Sequence, residues 1–389
     1  MSTLIARTAG ESHGPALTAM VEGMPSGVEI DLEFIDAQLA RRQGGYGRGG
    51  RQRIEEDHVQ FTAGVRGGRT MGGPVVMQIV NRDSRLDDAE RTPSVYRPRP
   101  GHADLAGAVK WLDPDCRNVL ERASARETAA RVACGALARC LLRAFSIEVF
   151  GFVRGMLDAI TSVEVTEQNW ERLRTVRDAS EVACPDEAAS AKIIEHIRQA
   201  KIDRDTVGGL CEVHVFGAPM GLGSCASAEG RLDGRLAQAV MSIQAFKSVE
   251  IGLGREVALR RGSAVHDPIH FDPALAAGPS LGFSRPTNHA GGLEGGMTNG
   301  MPVVVIGAMK PISTLGQGMP SVDLRTRSAE RSDYERSDVC ALPAASVVME
   351  NAVAFEIARA MREKFAGDSL PEMRAHFDRT IELARKTFH

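Results

Sequence analysis

Two histidines lie in short loops rich in glycine and proline, where a side chain could take part in acid–base chemistry. His13 follows Ser12 in residues 10–15 (GESHGP), and His102 lies in residues 97–104 (RPRPGHAD). Histidine exchanges protons near neutral pH, and loops on a rigid scaffold often carry catalytic groups. Most isolated loop histidines have a structural role instead, so the assignment of these two depends on the residues that surround them.

A glycine-rich segment concentrates positive charge. Residues 41–53 (RRQGGYGRGGRQR) carry five arginines, and the intervening glycines let the backbone approach a ligand closely. Guanidinium groups match the geometry of phosphates and carboxylates with paired hydrogen bonds. The segment is therefore either a binding loop for an anion or a loop whose charges face water.

The positive charge is local to the first third of the chain. Residues 41–131 contain 16 arginines and one lysine against 12 acidic residues, whereas the whole chain of 389 residues has 47 basic and 50 acidic residues. RNA binding is a competing interpretation of arginine-rich segments, but the near-neutral total and an aromatic content of 5% argue against it. The first third is predicted to form a cationic surface or pocket.

Two further positions bear on how an anion would be held. Residues 121–128 (ERASARET) contain an S-x-x-E capping box, which predicts a helix that begins at Ser124 with Arg122 and Arg126 beside its N-terminus. Free N–H groups and the helix dipole favour an anion there. Asp338, in the corresponding segment of the second half, is either a salt-bridge partner or a catalytic base held in its ionised form.

The composition and the cysteine and histidine spacing bear on the compartment, on disulfides and on metal binding. A hydrophobic content of 43% and a charged content of 25%, with no apolar run near ~18 residues and no signal-peptide core, predict a cytoplasmic protein without a membrane segment. The seven cysteines form no C-x-x-C pair and are predicted to be buried free thiols. Pro268 between His266 and His270 argues against a metal-binding helix, and no metal site is predicted.

The sequence does not support either of two common nucleotide-binding motifs. The sequence has no G-K-[ST], so a Walker A loop is not predicted. The glycine cluster at 45–50 follows a predicted helix and not a strand, which is the wrong position for a Rossmann turn.

The elements that would position these residues alternate in blocks. The predicted strands are 16–23, 75–80, 147–153, 210–216 and 302–309, and the predicted helices are 32–42, 124–145, 187–201, 233–243, 343–365 and 371–388. Groups of strands followed by long helices predict an α+β layered fold and not a doubly wound sheet.

The sequence also contains an internal repeat. Residues 21–27 and 215–221 share V-x-G-x-P-x-G, and residues 64–76 and 292–304 share G-x-x-G-G-x-T-x-G-x-P-V-V. Repeated motifs in the same order are typical of duplicated architectures. We expect one domain built from two homologous halves, about 1–205 and about 206–389.

Seven segments together closely resemble the chorismate synthase family. They are residues 10–14, 97–104, 121–128, 241–252, 287–300, 309–315 and 335–348, and they span nearly the whole chain. The resemblance implies a β-α-β sandwich, with long helices between antiparallel sheets and two pseudo-symmetric halves, assembled as a homotetramer.

The resemblance also implies a carbon–oxygen lyase of the shikimate pathway of aromatic amino-acid biosynthesis. In this family 5-enolpyruvylshikimate 3-phosphate loses phosphate and a ring hydrogen in a 1,4-anti elimination that gives chorismate. Reduced FMN is required although the net reaction is redox-neutral. FAD and NADP are the other cofactors that the resemblance implies. The flavin lends electron density to the allylic system, and its N5 acts with a nearby carboxylate to remove the hydrogen.

The resemblance implies roles for individual residues. His13, with Ser12 beside it, resembles the acid that protonates the departing phosphate; His102 resembles the histidine adjacent to the flavin, and Asp338 the carboxylate that assists N5. Arg42 and Arg48 match positions for substrate anions or the NADPH phosphate, and we add Arg126 to them from the predicted helix start. The positions that match FMN contacts are Arg122, Ala123, Ser124, Gln244, Ala245, Gly295, Lys310, Pro311, Ile312, Ser313, Thr314 and Arg336.

The sequence departs from the family pattern at two places. Residues 337–340 are SDVC where HDPC is commoner, and residues 122–124 are RAS where RSS is commoner, so a flavin contact at Ala123 would involve only its backbone. We expect dependence on an external supply of reduced FMN, with NADPH as an alternative reductant, and no nucleic-acid or membrane partner. The alternatives to the lyase are a flavin- or phosphoanion-binding protein on the same fold and an arginine-rich RNA-binding module.

Overall fold

Two antiparallel sheets enclose a layer of long helices in a computed structural model that describes residues 3–50, 54–278, 280–333 and 337–388. The helices are α1 (Leu32–Gln43), α2 (Asp104–Trp111), α3 (Arg117–Ala123), α4 (Thr128–Arg143), α5 (Trp170–Ala179), α6 (Glu187–Ile202), α7 (Leu232–Met241), α8 (Leu342–Phe365) and α9 (Leu370–Phe388). The strands from the first half of the chain are β1 (Ile5–Ala9), β2 (Ala16–Glu22), β3 (Gln60–Ala63), β4 (Val65–Arg66), β5 (Arg69–Thr70), β6 (Val75–Val80), β7 (Glu148–Met156) and β8 (Ala159–Ile160). The remaining strands are β9 (Gly209–Phe216), β10 (Phe246–Ile251), β11 (His270–Phe271), β12 (Phe283–Ser284), β13 (Leu293–Glu294), β14 (Met297–Thr298), β15 (Val303–Met309), β16 (Pro320–Val322) and β17 (Ala329–Arg331).

The two large sheets have the same strand order. The first has the order β1-β2-β6-β3, and the second has β7-β9-β15-β10 with β8 added at the edge beside β7. In each, a helix follows the second strand and a short hairpin (β4–β5 or β13–β14) precedes the last strand of the repeat. The predicted duplication stays a prediction, and this shared order supports it.

The boundary between the sheets does not coincide with the predicted division near residue 205. The strand β7 lies before that point, yet it pairs with β9 from Glu148 opposite Phe216 to Gly155 opposite Leu210. The second sheet therefore begins directly after α4. The sequence signal failed here because the repeated motif starts at β9, and the segment with β8, α5 and α6 separates that motif from β7.

The long helices α4 and α8 form the middle layer. They pack against each other, α4 also packs against β2 and β6, and α8 packs against β7 and β9. Leu17, Val21 and Met77 of the first sheet and Val213 of the second are fully buried in one continuous core with these helices. Alternate residues of a strand face one side, so a single apolar face of each sheet is enough to cover the helix layer. The predicted β-α-β sandwich is confirmed.

The outer face of the second sheet is also covered. Along β9 both sets of alternate residues are buried, because Phe216 packs with Phe150, Phe152 and Trp170 in a separate aromatic cluster under α5. The helix α5 forms this cover, whereas the buried residues of α6 belong to the main core. The sequence predicted α6 but missed α5, in which only three of ten residues are buried.

Six of the seven predicted buried cysteines are buried, and the prediction was wrong for Cys225, which is exposed. In the part of the chain that is described, none of the helices is long and apolar enough to cross a bilayer.

Candidate active site

A cavity of about 670 Å³ opens where loops from both halves meet above the middle layer. This volume is within the range usual for small-molecule sites. The cavity is bordered by the β1–β2 loop, the end of α1, the α3–α4 junction, the α7–β10 turn, the segment after β15 and the start of α8. The predicted site residues that line it are Ser12, His13, Arg42, Arg48, His102, Ala123, Ser124, Arg126, Gln244, Ala245, Lys310, Ile312, Ser313, Thr314 and Asp338.

His13 is held by a buried carboxylate. Its backbone N–H donates to Glu121 Oε2 at 2.9 Å, and its ring Nδ1 lies 2.9 Å from Glu121 Oε1. The other ring nitrogen, Nε2, lies 3.2 Å from Arg85 Nη2 and 3.8 Å from Asp83 Oδ2. Burial raises the pKa of Glu121, but the hydrogen bonds from the His13 ring and backbone lower it by more, so the pKa of Glu121 lies below its usual range. The ring is thus fixed between a carboxylate and the cavity.

His102 has a similar carboxylate partner at the opposite wall. Its Nδ1 is hydrogen bonded to Asp104, whose side chain is fully buried and also accepts from Arg99 Nε at 2.8 Å. Burial raises the pKa of Asp104, but the hydrogen bonds from His102 and Arg99 lower it by more, so the pKa lies well below its usual range. Arg99 extends the chain of contacts to Thr314 Oγ1 at 3.1 Å.

Two buried guanidinium groups share one carboxylate. Arg42 Nη2 donates to Asp57 Oδ2 at 3.0 Å, and Arg126 Nη1 donates to Asp57 Oδ1 at 2.6 Å. Burial lowers the pKa of Arg42 to about 10, with Asp57 opposing and the charges of Arg126 and Arg48 reinforcing the decrease. Arg42 therefore stays charged at neutral pH, and the three groups together carry one excess positive charge at the wall of the cavity.

Asp338 closes the arginine-rich loop. Its carboxylate accepts from the backbone N–H of Gly49 at 2.6 Å and lies 2.8 Å from Arg48 Nη1. Both expected roles remain open, because Asp338 is a salt-bridge partner and also lines the cavity. The other arginines of this segment, Arg51 and Arg53, lie outside the described residues.

The remaining wall comes from the turn before β10 and the segment after β15. Ala245 has a backbone φ of 70°, which residues with a side chain rarely adopt, and its carbonyl accepts from the N–H of Lys310 at 2.9 Å. Lys310 Nζ donates to the carbonyl of Gly101 at 2.8 Å, which joins this wall to the His102 loop. Burial, then the neighbouring charge of Lys247, lowers the pKa of Lys310.

The predicted helix start at Ser124 was wrong in detail. Ser124 is extended and accepts from the N–H of Arg126 at 3.3 Å, which caps a short 3₁₀ turn over residues 125–127, and α4 begins at Thr128. Glu127 does not close a capping box, because its carboxylate accepts from Thr8 at 2.6 Å and from Gln244 at 3.0 Å. The break places the Ser124 hydroxyl 3.1 Å from that of Ser12, at the wall of the cavity.

Four predicted positions are not among the cavity-lining residues. Arg122 donates to the carbonyls of Gly10 and Thr8 and borders a smaller adjoining cleft of about 310 Å³. Pro311 precedes cavity-lining Ile312, and Gly295 lies in the turn of the β13–β14 hairpin. Arg336 lies outside the described residues.

Sequence reasoning missed the residues that hold the predicted ones. They are Asp57, Arg85, Arg99, Asp104 and Glu121. Three of them lie inside segments singled out by their motifs: Arg99 and Asp104 are close to His102 along the chain, and Glu121 is in the segment that contains Ser124. Asp57 and Arg85 had no such signal.

Several buried polar atoms of cavity-lining residues have no hydrogen-bond partner within the described ranges. They are Arg42 Nε, Arg48 Nε, Arg85 Nε, Arg126 Nη2 and Gln244 Oε1, of which the Arg85 and Arg126 atoms lie within ion-pair distance of a carboxylate. Buried donors without partners are costly. Four of these five atoms are guanidinium donors, so the cavity is suited to an anionic ligand with several oxygens.

The comparisons with known proteins agree with this fold. Residues 4–361 match the family model described as chorismate synthase. A chorismate synthase of Geobacter metallireducens is 52% identical over 388 residues, which cover 97% of this chain and 98% of the relative. Another, from Syntrophotalea carbinolica, is 50% identical over 395 residues, which cover 99% of this chain and all of the relative.

A solved structure described as a crystal structure of chorismate synthase gives a TM-score of 0.81 at 37% sequence identity, with 99% of each chain covered. Both the sequence match and the structural match extend over nearly the whole chain. The chain therefore belongs to the chorismate synthase family, as a carbon–oxygen lyase of aromatic amino-acid biosynthesis.

Proposed function

We propose that the chain eliminates phosphate and a ring hydrogen from 5-enolpyruvylshikimate 3-phosphate to give chorismate, with reduced FMN bound in the same cavity. One observation carries this proposal: a single cavity is lined by four arginines with unpartnered guanidinium donors and by two histidines, each held by a buried carboxylate. The substrate has three anionic groups, which are two carboxylates and a phosphate. Guanidinium groups are the side chains best suited to bind such groups.

The chain's own residues supply positioning and proton transfer. In the elimination a C–O bond to phosphate and a C–H bond of the ring break, a C=C bond forms, and phosphate and one proton leave. His13 Nε2 faces the cavity and delivers a proton to the departing phosphate, while Glu121 keeps the ring oriented through Nδ1. Arg42 and Arg126 neutralise the substrate's anionic groups from positions fixed by Asp57.

The cavity also has features that fit FMN. Lys310, Ser313 and Thr314 offer hydrogen-bond donors for a phosphate, and Ala344 and Val348 at the start of α8 provide an apolar surface for a ring system. When bound, reduced flavin supplies electron density to the allylic system and takes part in removing the ring hydrogen. In this proposal His102 would hold a proton beside the flavin, and Asp338 would accept one.

The decisive test is an anaerobic reaction with FMN, dithionite and the substrate, monitored for inorganic phosphate and for chorismate. Release of both in equal amounts is expected. FMN binding without phosphate release would instead support a flavin-binding protein without this activity. An RNA electrophoretic shift at physiological salt would support the third interpretation.

The source of reduced flavin, the assembly and the compartment belong to the same proposal. We propose an external supply of reduced FMN, a homotetramer and a cytoplasmic location. If reduced FMN comes from an external supply, the chain alone should not oxidise NADPH in the presence of FMN under anaerobic conditions. Light scattering after size-exclusion chromatography measures the assembly.

A further inference from the structure

The contacts of the His13 ring assign its tautomer. An ionised carboxylate only accepts hydrogen bonds, and a guanidinium only donates them. The ring therefore donates from Nδ1 to Glu121 at 2.9 Å and accepts at Nε2 from Arg85 Nη2 at 3.2 Å. Arg85 thus contacts the nitrogen that must carry a proton for transfer to the leaving group.

The surroundings of Arg85 favour an exchange of its contact with His13 Nε2 for a contact with an anion in the cavity. Its side chain is about one-quarter exposed, and it lines the cavity. Among the described residues its buried Nε has no hydrogen-bond partner and forms an ion pair with Asp83 Oδ1 at 3.4 Å. A phosphate in the cavity offers a doubly charged acceptor, which binds a guanidinium more strongly than a neutral imidazole does.

The other charges around the ring favour protonation once Arg85 has moved. Glu121 faces Nδ1 from α3, with Arg117 at 3.6 Å from the same oxygen, and Asp83 lies 3.8 Å from Nε2. Asp83 in turn pairs with Arg91 at 3.6 Å. Once Arg85 has moved away, two carboxylates are the nearest charged neighbours of the ring among the residues that the structure describes.

We propose that Arg85 couples phosphate binding to protonation of His13: the guanidinium leaves Nε2 for the incoming phosphate, and Nε2 takes up a proton from solvent that it later delivers to the leaving group. The inference rests on the proposed function for the identity of the phosphate. The number of hydrogen bonds donated by Arg85 does not change, because its hydrogen bond to Nε2 is replaced by one to a phosphate oxygen. The ring gains one proton on binding and loses it on elimination, which restores the Nδ1–H form.

Sulfate tests this coupling without substrate or flavin, because it is a divalent oxyanion that does not itself titrate near neutral pH. Calorimetric titration of sulfate into the full chain, in two buffers with different ionisation enthalpies, gives the number of protons taken up per anion. Net uptake is expected for the unmodified chain at and above neutral pH, and none for His13→Gln, in which the group that gains the proton is absent.

Arg85→Gln should bind sulfate about tenfold or more weakly and lose most of the linked uptake, because one charged hydrogen bond to the anion is gone. Arg85→Lys keeps the cation and should recover part of the affinity. The matched control is Arg91→Gln, since Arg91 pairs with the same Asp83 but does not line the cavity. It should behave like the unmodified chain.

The proposal is overturned if Arg85→Gln matches the unmodified chain in affinity and uptake, if Arg91→Gln loses as much, or if the unmodified chain takes up no proton. Failure of the proposed reaction is distinguished separately, because it would appear as normal proton-linked sulfate binding without phosphate release from the substrate.

Discussion

At the scale of single residues, the proposed proton donor is the sharpest point to test. His13 is buried, its ring is anchored by Glu121, and its Nε2 borders the cavity. Replacing it with alanine should reduce kcat by roughly 10²-fold or more, with a smaller effect on KM, because general acid catalysis contributes about that factor. Stopped-flow measurement of phosphate release under anaerobic conditions gives both constants.

The control for this variant is His196→Ala. His196 also pairs with a carboxylate, Asp158 at 2.6 Å, but it lies on α6 outside the cavity. Its turnover should match that of the unmodified chain. Unchanged turnover in His13→Ala would remove the acid assignment.

Asp57 gives a second residue-scale prediction. Asp57→Asn preserves shape but leaves the buried guanidiniums of Arg42 and Arg126 without their shared countercharge. Uncompensated buried charge typically costs about 3–5 kcal/mol, so the free energy of unfolding should fall by about that amount in urea denaturation. Asp158→Asn, at a largely exposed carboxylate, should change it by less than about 1 kcal/mol. A loss below about 1 kcal/mol in Asp57→Asn would show that the two arginines are solvated.

At the scale of elements, the close contact between α4 and α8 depends on one glycine. A Cβ at Gly135 would lie 2.2 Å from the backbone oxygen of Asn351 on α8. Gly135→Ala should therefore lower the free energy of unfolding by about 1–3 kcal/mol. Gly234→Ala in α7, where no atom lies within 4 Å of the added Cβ, should be neutral or stabilising by up to about 0.5 kcal/mol. Equal effects of the two variants in thermal or chemical unfolding would contradict the packing argument.

A buried charge cluster joins four helices and makes stability depend on pH. Glu350 of α8 lies 2.8 Å from Arg41 of α1, 3.1 Å from Arg139 of α4 and 3.5 Å from Arg177 of α5. Burial raises the pKa of Glu350, but the charges of the three arginines lower it by more, to about 2. Because the folded pKa is depressed, its stabilisation is fully present above the unfolded value of about 4.3 and is lost as the pH falls towards 2.

Glu350→Gln should consequently be destabilised by about 3 kcal/mol at neutral pH, and its difference from the unmodified chain should shrink between about pH 4 and pH 2. Urea denaturation at several pH values measures this difference. A constant difference across that range would show that the ionised carboxylate is not the stabilising species.

Element-scale comparison also shows what the sequence could reveal. Strands and helices with strong periodicity were predicted to within a few residues, including β2, β6, α1 and α8. The helix predicted over 124–145 is instead a 3₁₀ turn over residues 125–127 followed by α4, because Ser124 is extended and the nearby Glu121 carbonyl accepts from the N–H of Ser12 across the site. The hydrophobic pattern of residues 124–145 carries no information about this contact with a distant part of the chain.

The same limit applies to the site. The histidines and arginines stood out by composition and motif, but two of the carboxylates in the site contact residues that are distant in sequence. Glu121 is 108 residues from His13, and Asp338 is 289 residues from Gly49, so only the fold brings each pair together.

At the scale of the whole molecule, the two halves share one core and should unfold together. The core cluster includes residues of both sheets and of α4 and α8, so separating the halves would expose the apolar faces of both helices to water. When the chain is divided between α4 and β7, where the second sheet begins, each half contains one of the two tryptophans: Trp111 lies in α2 and Trp170 in the aromatic cluster under α5. Trp111→Phe and Trp170→Phe therefore give single-tryptophan variants that report on one half each.

The two variants should show coincident urea transitions by fluorescence, and each should coincide with its own transition by circular dichroism, as expected of a single cooperative unit. Fragments divided between α4 and β7, residues 1–146 and 147–389, should fail to fold alone but regain helical signal when mixed, since each contributes one of the two central helices. Separate transitions for the two tryptophans, or an independently folded fragment, would mean that the halves are domains with their own cores, and a site built from loops of both would then depend on how those domains dock.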